Sequence, residues 1–133
     1  QLRARVAETG HDTVLLRDPK PRAQLLELYA QADVLFLHLN DDPAFLRVLP
    51  SKLFEYAATG KPILAGVSGV AAEFLAREVG SNVAVFDPCD PAAAEQAFAR
   101  LDLAPSDRSD FAARYRRANL MADLARRVLA AAD

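Results

Sequence analysis

The sequence predicts an α/β domain, a parallel β-sheet with helices on both faces. Three observations predict it. Short apolar runs alternate strictly with helical stretches over residues 13–101, and the connections between them are short. The run from Val34 to Leu39 is almost continuously apolar, which suits a strand covered on both faces. Such alternation gives right-handed βαβ units and a parallel sheet.

Taken in order, residues 1–8 read as the end of a helix closed by Gly10. Residues 13–17, a β-branched and leucine run, read as a first strand. Pro21 suits the first position of a helix, where its missing N–H is not needed, and Leu25, Leu26, Leu28 and Tyr29 form an apolar face. Asp33 precedes the second strand, residues 34–39. A polar loop follows over residues 40–43, and irregular chain runs on to Leu49. The next helix has Ser51 as its N-cap, Gly60 as its stop and Leu53, Phe54, Ala57 and Ala58 as its buried stripe. Residues 62–67 form a third strand, 69–78 a helix and 82–87 a fourth strand. Asp90 then caps a helix whose first residue is Pro91 and whose inner face is Ala93, Ala97, Phe98 and Leu101. Beyond Pro105 the pattern is helical only. Over residues 120–132 one side carries Leu120, Met121, Leu124, Ala125, Val128 and Leu129. Residues 1–105 are thus the expected sheet domain, and 106–133 are its C-terminal helices.

Bulk composition narrows the partners. At 133 residues, 52% hydrophobic and 26% charged, the chain fits one globular core, and two domains around a cleft would need more. A net charge of −2 gives no global attraction to nucleic acid, so a basic partner surface must be local. Cys89 is the sole cysteine, a bystander beside Pro88, which leaves no disulfide framework or cysteine metal site. No apolar run reaches membrane-spanning length and residues 1–8 lack a signal-peptide pattern, so the expectation is a cytoplasmic piece of something longer.

Sheets of this kind bind ligands beyond the carboxyl ends of their strands. The positions to inspect are Arg17 and Asp18, residues 40–51, Ser68 and Gly69, and residues 87–90. The second stretch is the longest. It leads into PSKLFEYAATGKPILAG at residues 50–66, where a helix starts beside the sheet edge. The open N–H groups of a first helical turn suit a phosphate, Lys52 adds a positive charge, and Glu55 lies one turn on, placed to grip a vicinal diol such as a ribose.

This run resembles the nucleotide-sugar motif of retaining GT-B glycosyltransferases of family 4, in the bacterial polysaccharide and O-antigen branch. The stretches LLELYAQADVLFLHL at residues 25–39 and RYRRANLMADLARRVL at residues 114–129 fit the same branch. The resemblance implies a Rossmann-like C-terminal donor domain, incomplete at its N-terminus, and the donor-binding part of a hexosyltransferase. It implies that Glu55 binds the donor ribose, and that Ser51, Lys52 and Leu53 approach the diphosphate. It places Arg47 and Val48 at the donor sugar and Arg17 and Asp18 at the nucleobase. Arg47 stands where the family has the first glutamate of its E-x7-E signature, a reversal of charge. The catalytic residues fall in an N-terminal domain outside these 133 residues. The implied substrate is a UDP- or GDP-sugar, with no cofactor and no metal, and the implied acceptor is a glycan or lipid-linked sugar. The implied partners are the chain's own N-terminal domain and the cytoplasmic face of a membrane, and nucleic acid is not among them.

Other readings stand beside these. Glu55 alone is a solvated carboxylate paired with Lys52 or Thr59, Ser51 is first a helix cap, and Lys52 and Arg47 are ordinary surface residues. His38 reads as a satisfied core histidine, His11 as a turn residue, and Asp41 and Asp42 as a solvated loop. The five arginines from Arg114 to Arg127 mark a polar helix face, a docking face or a membrane contact. At the level of function the rivals are a non-catalytic nucleotide-sugar-binding domain and a GT-B-fold sugar-nucleotide epimerase. A receiver-like signalling module is disfavoured because Asn40, not an aspartate, follows the central strand.

Overall fold

A computed structural model describes residues 2–10 and 12–131. His11, and Gln1 and Ala132 at the ends of two expected helices, lie outside those residues. The chain is mixed α/β, built on a three-stranded parallel sheet flanked by helices. The strands are β1 (Leu35–His38), β2 (Ile63–Gly66) and β3 (Val83–Phe86), side by side in that order. The register aligns Leu35 with Ile63 and Ile63 with Val83, and likewise Leu37 with Ala65 and Ala65 with Val85. Alternation therefore puts these residues on one face and Phe36, His38, Gly66 and Phe86 on the other.

The first face holds the core. Helix α3 (Ser51–Ala57) links β1 to β2, and α4 (Gly69–Phe74) links β2 to β3, continued by a π-helical turn over Leu75–Val79. Helix α2 (Arg22–Gln31) joins them through Tyr29, and Leu53, Ala57, Ile63, Ala65, Ala71 and Leu75 have no exposed surface. Helix α5 (Pro91–Ala99) packs against β2 and β3, opening as expected with Asp90 Oδ1 accepting from the Ala93 N–H at 2.9 Å.

Several expectations change. Residues 13–17 are not a strand: β1 pairs only with β2 among the described residues, and Val14 and Leu15 stay exposed. β-propensity without a ladder partner does not make a strand. The second expected strand is covered on one face only. Leu35 and Leu37 are buried, whereas Phe36 is 55% exposed and His38 is exposed, because α5 lies over β2 and β3. His38 is accordingly not a core histidine. Its ring lies beside Phe36 and Phe86, and its Nε2 accepts the backbone N–H of the exposed Cys89 at 2.9 Å. Phe98 and Ala58 are exposed rather than buried, and Tyr56 fills the place given to Ala58.

The C-terminal helices α6 (Ser109–Arg114) and α7 (Arg117–Ala130) follow α1 (Leu2–Thr9) and the rest in chain order. Phe111 and Tyr115 join Phe54 and Phe74 in an aromatic cluster, with Phe111 and Tyr115 centroids 4.5 Å apart. Ahead of α6, the Ser106 N–H donates to the Gly60 carbonyl at 2.9 Å. Gly60 has φ +73, and a Cβ there would meet the Ser106 carbonyl oxygen at 2.5 Å. The glycine of the Gly60-Lys61-Pro62 run is thus required by a left-handed turn under close-packed backbone. Helix α7 forms where the periodicity predicts, yet none of its residues is buried. No helix among the described residues is long and apolar enough to cross a membrane.

Candidate functional site

The segment between β1 and α3 shapes the carboxyl edge of the sheet. After Leu39 the chain makes a 3₁₀ turn over Pro43–Arg47, started by Asp42, whose Oδ1 accepts from the Ala44 N–H at 2.8 Å. Asp42 is therefore a turn cap, and no cluster of metal-ligating side chains occurs among the described residues. The turn leans on the start of α4. Gly69 has φ +59, and any Cβ would collide with the Leu46 carbonyl, so this backbone contact requires glycine. Arg47 and Val48 emerge from the turn into solvent.

Helix α3 begins one residue earlier than its sequence implies. The Leu53 N–H donates to the Pro50 carbonyl at 3.0 Å, which makes Pro50 the N-cap and Ser51 the first helical residue. Ser51 consequently makes no side-chain cap. Leu53 is wholly buried and its amide is already bonded, which leaves Ser51 and Lys52 with the open N–H groups of the first turn. The Lys52 ammonium donates to the Tyr29 hydroxyl at 3.4 Å. This bond, against the opposing pull of burial, holds Lys52 above its ordinary pKa. Tyr56 packs edge-on to Tyr29, ring centroids 5.2 Å apart, and burial pushes its phenol up. Lys52 is thus a permanent cation anchored toward α2.

Glu55 sits one turn further along α3. It is half-buried, and its Oε1 accepts from Arg22 Nη1 at 2.6 Å, an ion pair with the start of α2 rather than with Lys52 or Thr59. Thr59 instead donates to the Tyr56 carbonyl at 2.7 Å. Glu55 faces a cleft of about 380 Å³ whose lining includes Phe54, Tyr115, Arg116 and Arg117. Arg17 and Asp18 lie elsewhere: Arg17 lines a separate cleft with Gln24 and Glu27, and Asp18 pairs with Arg3 on α1 at 2.5 Å. The fold therefore brings Ser51, Lys52, Leu53 and Glu55 together on one helix, Arg47 and Val48 just before it, and keeps Arg17 and Asp18 apart.

Two arrangements were not legible in the sequence. One is the partnership of Glu55 with Arg22, 33 residues away, together with Arg116 and Arg117. Its only sequence signal is the arginine run at residues 114–127. The other is Arg108, buried in a polar loop, which donates to the carbonyls of Lys61, Ser81 and Asn82 at 3.0, 2.6 and 3.1 Å. No protein family, curated protein or solved structure matches this chain.

Proposed function

We propose that this chain is the donor-binding part of a GT-B glycosyltransferase, holding a UDP- or GDP-sugar for transfer to a glycan or lipid-linked acceptor. The observation that carries the proposal is Glu55. It is a half-buried carboxylate on the first helix after β1 of a parallel sheet, facing a cleft, inside the run PSKLFEYAATGKPILAG. A carboxylate there can accept hydrogen bonds from both hydroxyls of a ribose. The Arg22 partner does not preclude this. Its side chain is 70% exposed, and such ion pairs contribute about 0–1 kcal/mol, which a better-bonded ligand can replace. Ser51 and Lys52 offer open amides and a cation within one turn of Glu55.

In this reading the acceptor and the catalytic groups belong to an N-terminal domain, a Rossmann-like partner to this one, and the chain alone turns nothing over. Isothermal titration with UDP, GDP and their sugars tests it. Nucleotide binding is expected, weakened about tenfold or more in Glu55→Ala, the scale of a lost charge-assisted bidentate contact. No binding of either nucleotide, or a Glu55→Ala chain that binds as the parent does, would refute the proposal.

A further inference from the structure

We infer that Arg22, Arg116 and Arg117 form an anion site in the Glu55 cleft, which takes the phosphate of a hydroxyl-bearing ligand. The inference rests on the reading of Glu55 as a diol-binding carboxylate, and it locates the charge that this ligand must bring. The lining of the cleft of about 380 Å³ includes those three arginines and one acidic residue, Glu55. Arg22 already bonds that carboxylate at 2.6 Å, whereas Arg116 and Arg117 make no ion pair among the described residues. Cationic charge is therefore in excess inside a concave surface.

Placement argues against an ordinary solvated arginine face. Arg126 and Arg127, on the same helix as Arg117, both pair with Asp123, at 3.3 and 2.7 Å. Arg114 is likewise taken by Glu78 at 2.8 Å. Of the five arginines from Arg114 to Arg127, the two with no carboxylate partner among the described residues are the two that line the cleft. They are carried there by the corner between α6 and α7, which Phe111 and Tyr115 fasten to Phe54 in the aromatic cluster. The corner is thus held by packing, and its cations are presented rather than trailing.

The alternative source of positive charge is weaker. Lys52 is turned to the Tyr29 hydroxyl, and the Leu53 amide is bonded to Pro50, so the start of α3 offers two amides. Guanidiniums match phosphoryl oxygens in pairs of parallel hydrogen bonds, and two adjacent arginines suit a phosphate or diphosphate. The aromatic floor of Phe54 and Tyr115 lowers the local dielectric and strengthens the attraction. Glu55 repels a bare anion but accepts hydroxyl protons, so the lining favours a phosphate ester that carries hydroxyls over inorganic phosphate.

The test is an NMR titration of the isotope-labelled full chain with inorganic pyrophosphate and, separately, UDP. Pyrophosphate is expected to shift the amide and guanidinium signals of Arg116 and Arg117, with an affinity that falls as salt rises. Arg116→Ala/Arg117→Ala should weaken binding about tenfold or more. Arg126→Ala/Arg127→Ala, which removes the same charge further along α7, should change it less than about twofold. All four side chains are exposed, and far-UV circular dichroism verifies that each double variant folds. No pyrophosphate binding, or shifts confined to Ser51 and Lys52 and untouched by Arg116→Ala/Arg117→Ala, would overturn the inference while leaving the nucleotide reading intact if UDP binds. Arginine-dependent pyrophosphate binding, with UDP no tighter and Glu55→Ala silent, would sustain the anion site but overturn both the hydroxyl-bearing ligand and the nucleotide reading.

Discussion

Replacing Arg108 by alanine should cost more stability than any other charged-residue change among the described residues. Its side chain is 6% exposed, and it reaches three carbonyls that precede β2 and β3: Lys61, Ser81 and Asn82. These carbonyls lie at the amino edge of the sheet, where the Asn82 carbonyl also accepts the Ile63 N–H at 3.1 Å. One guanidinium ties both strand entrances to the loop that leads into α6. Each such bond from a charged donor contributes about 1.5 kcal/mol or more, but desolvation works against it, which is why burial lowers the pKa of Arg108. Its Nε has no partner, a further unreturned cost. Taking about 1 kcal/mol net per bond gives about 3 kcal/mol for Arg108→Ala. At an unfolding entropy of about 2.1 cal/mol/K per residue, that lowers Tm by about 10 °C. Thermal unfolding followed by circular dichroism reads it directly. Arg108→Lys should recover only part of the loss, since one ammonium cannot span three carbonyls in the geometry of a planar fork. A drop below about 3 °C in Arg108→Ala would show that desolvation cancels the bonds and that the clamp argument is wrong.

Three further outcomes follow from the same geometry. Gly60→Ala should cost about 1–3 kcal/mol in chemical denaturation, combining the left-handed backbone with the Ser106 carbonyl at 2.5 Å; an unchanged midpoint would contradict that turn. Leu53→Ala empties a fully buried position and should cost about 2–5 kcal/mol without changing the slope of the unfolding curve. Glu78 accepts from the Tyr115 hydroxyl at 3.0 Å, from Arg77 and from Arg114, and the Tyr115 bond leads in lowering its pKa. A carboxylate lowered in the folded state stabilises above its unfolded pKa, and that contribution fades as pH falls through the folded value. Melting curves from roughly pH 6 to pH 3 should therefore show an acid limb that Glu78→Gln flattens, and identical limbs would exclude the contribution.

Period and punctuation were enough to place most elements. Three of four expected strands formed within a residue or two, because a short apolar run between turn residues has few other ways to satisfy its backbone. The Asp90 cap and the helix after it were legible for a local reason: a side-chain acceptor three residues from its N–H donor needs no tertiary partner. The first expected strand, residues 13–17, failed because strand formation depends on a neighbour that no local pattern specifies. The cover over Phe36 and His38 failed in the same way, since a run of apolar residues does not say which face a distant helix takes.

The candidate site divides along the same line. That Ser51, Lys52 and Glu55 share the first two turns of one helix beside the sheet edge follows from sequence, since spacing along a helix fixes relative position. What each charge faces does not. Only the tertiary structure turns Lys52 toward Tyr29, pairs Glu55 with Arg22, and carries Arg116 and Arg117 to the cleft from more than 60 residues away. Periodicity determines a helix and its faces. Which charges meet across two helices is decided by packing, here the aromatic cluster that holds the α6–α7 corner against α3.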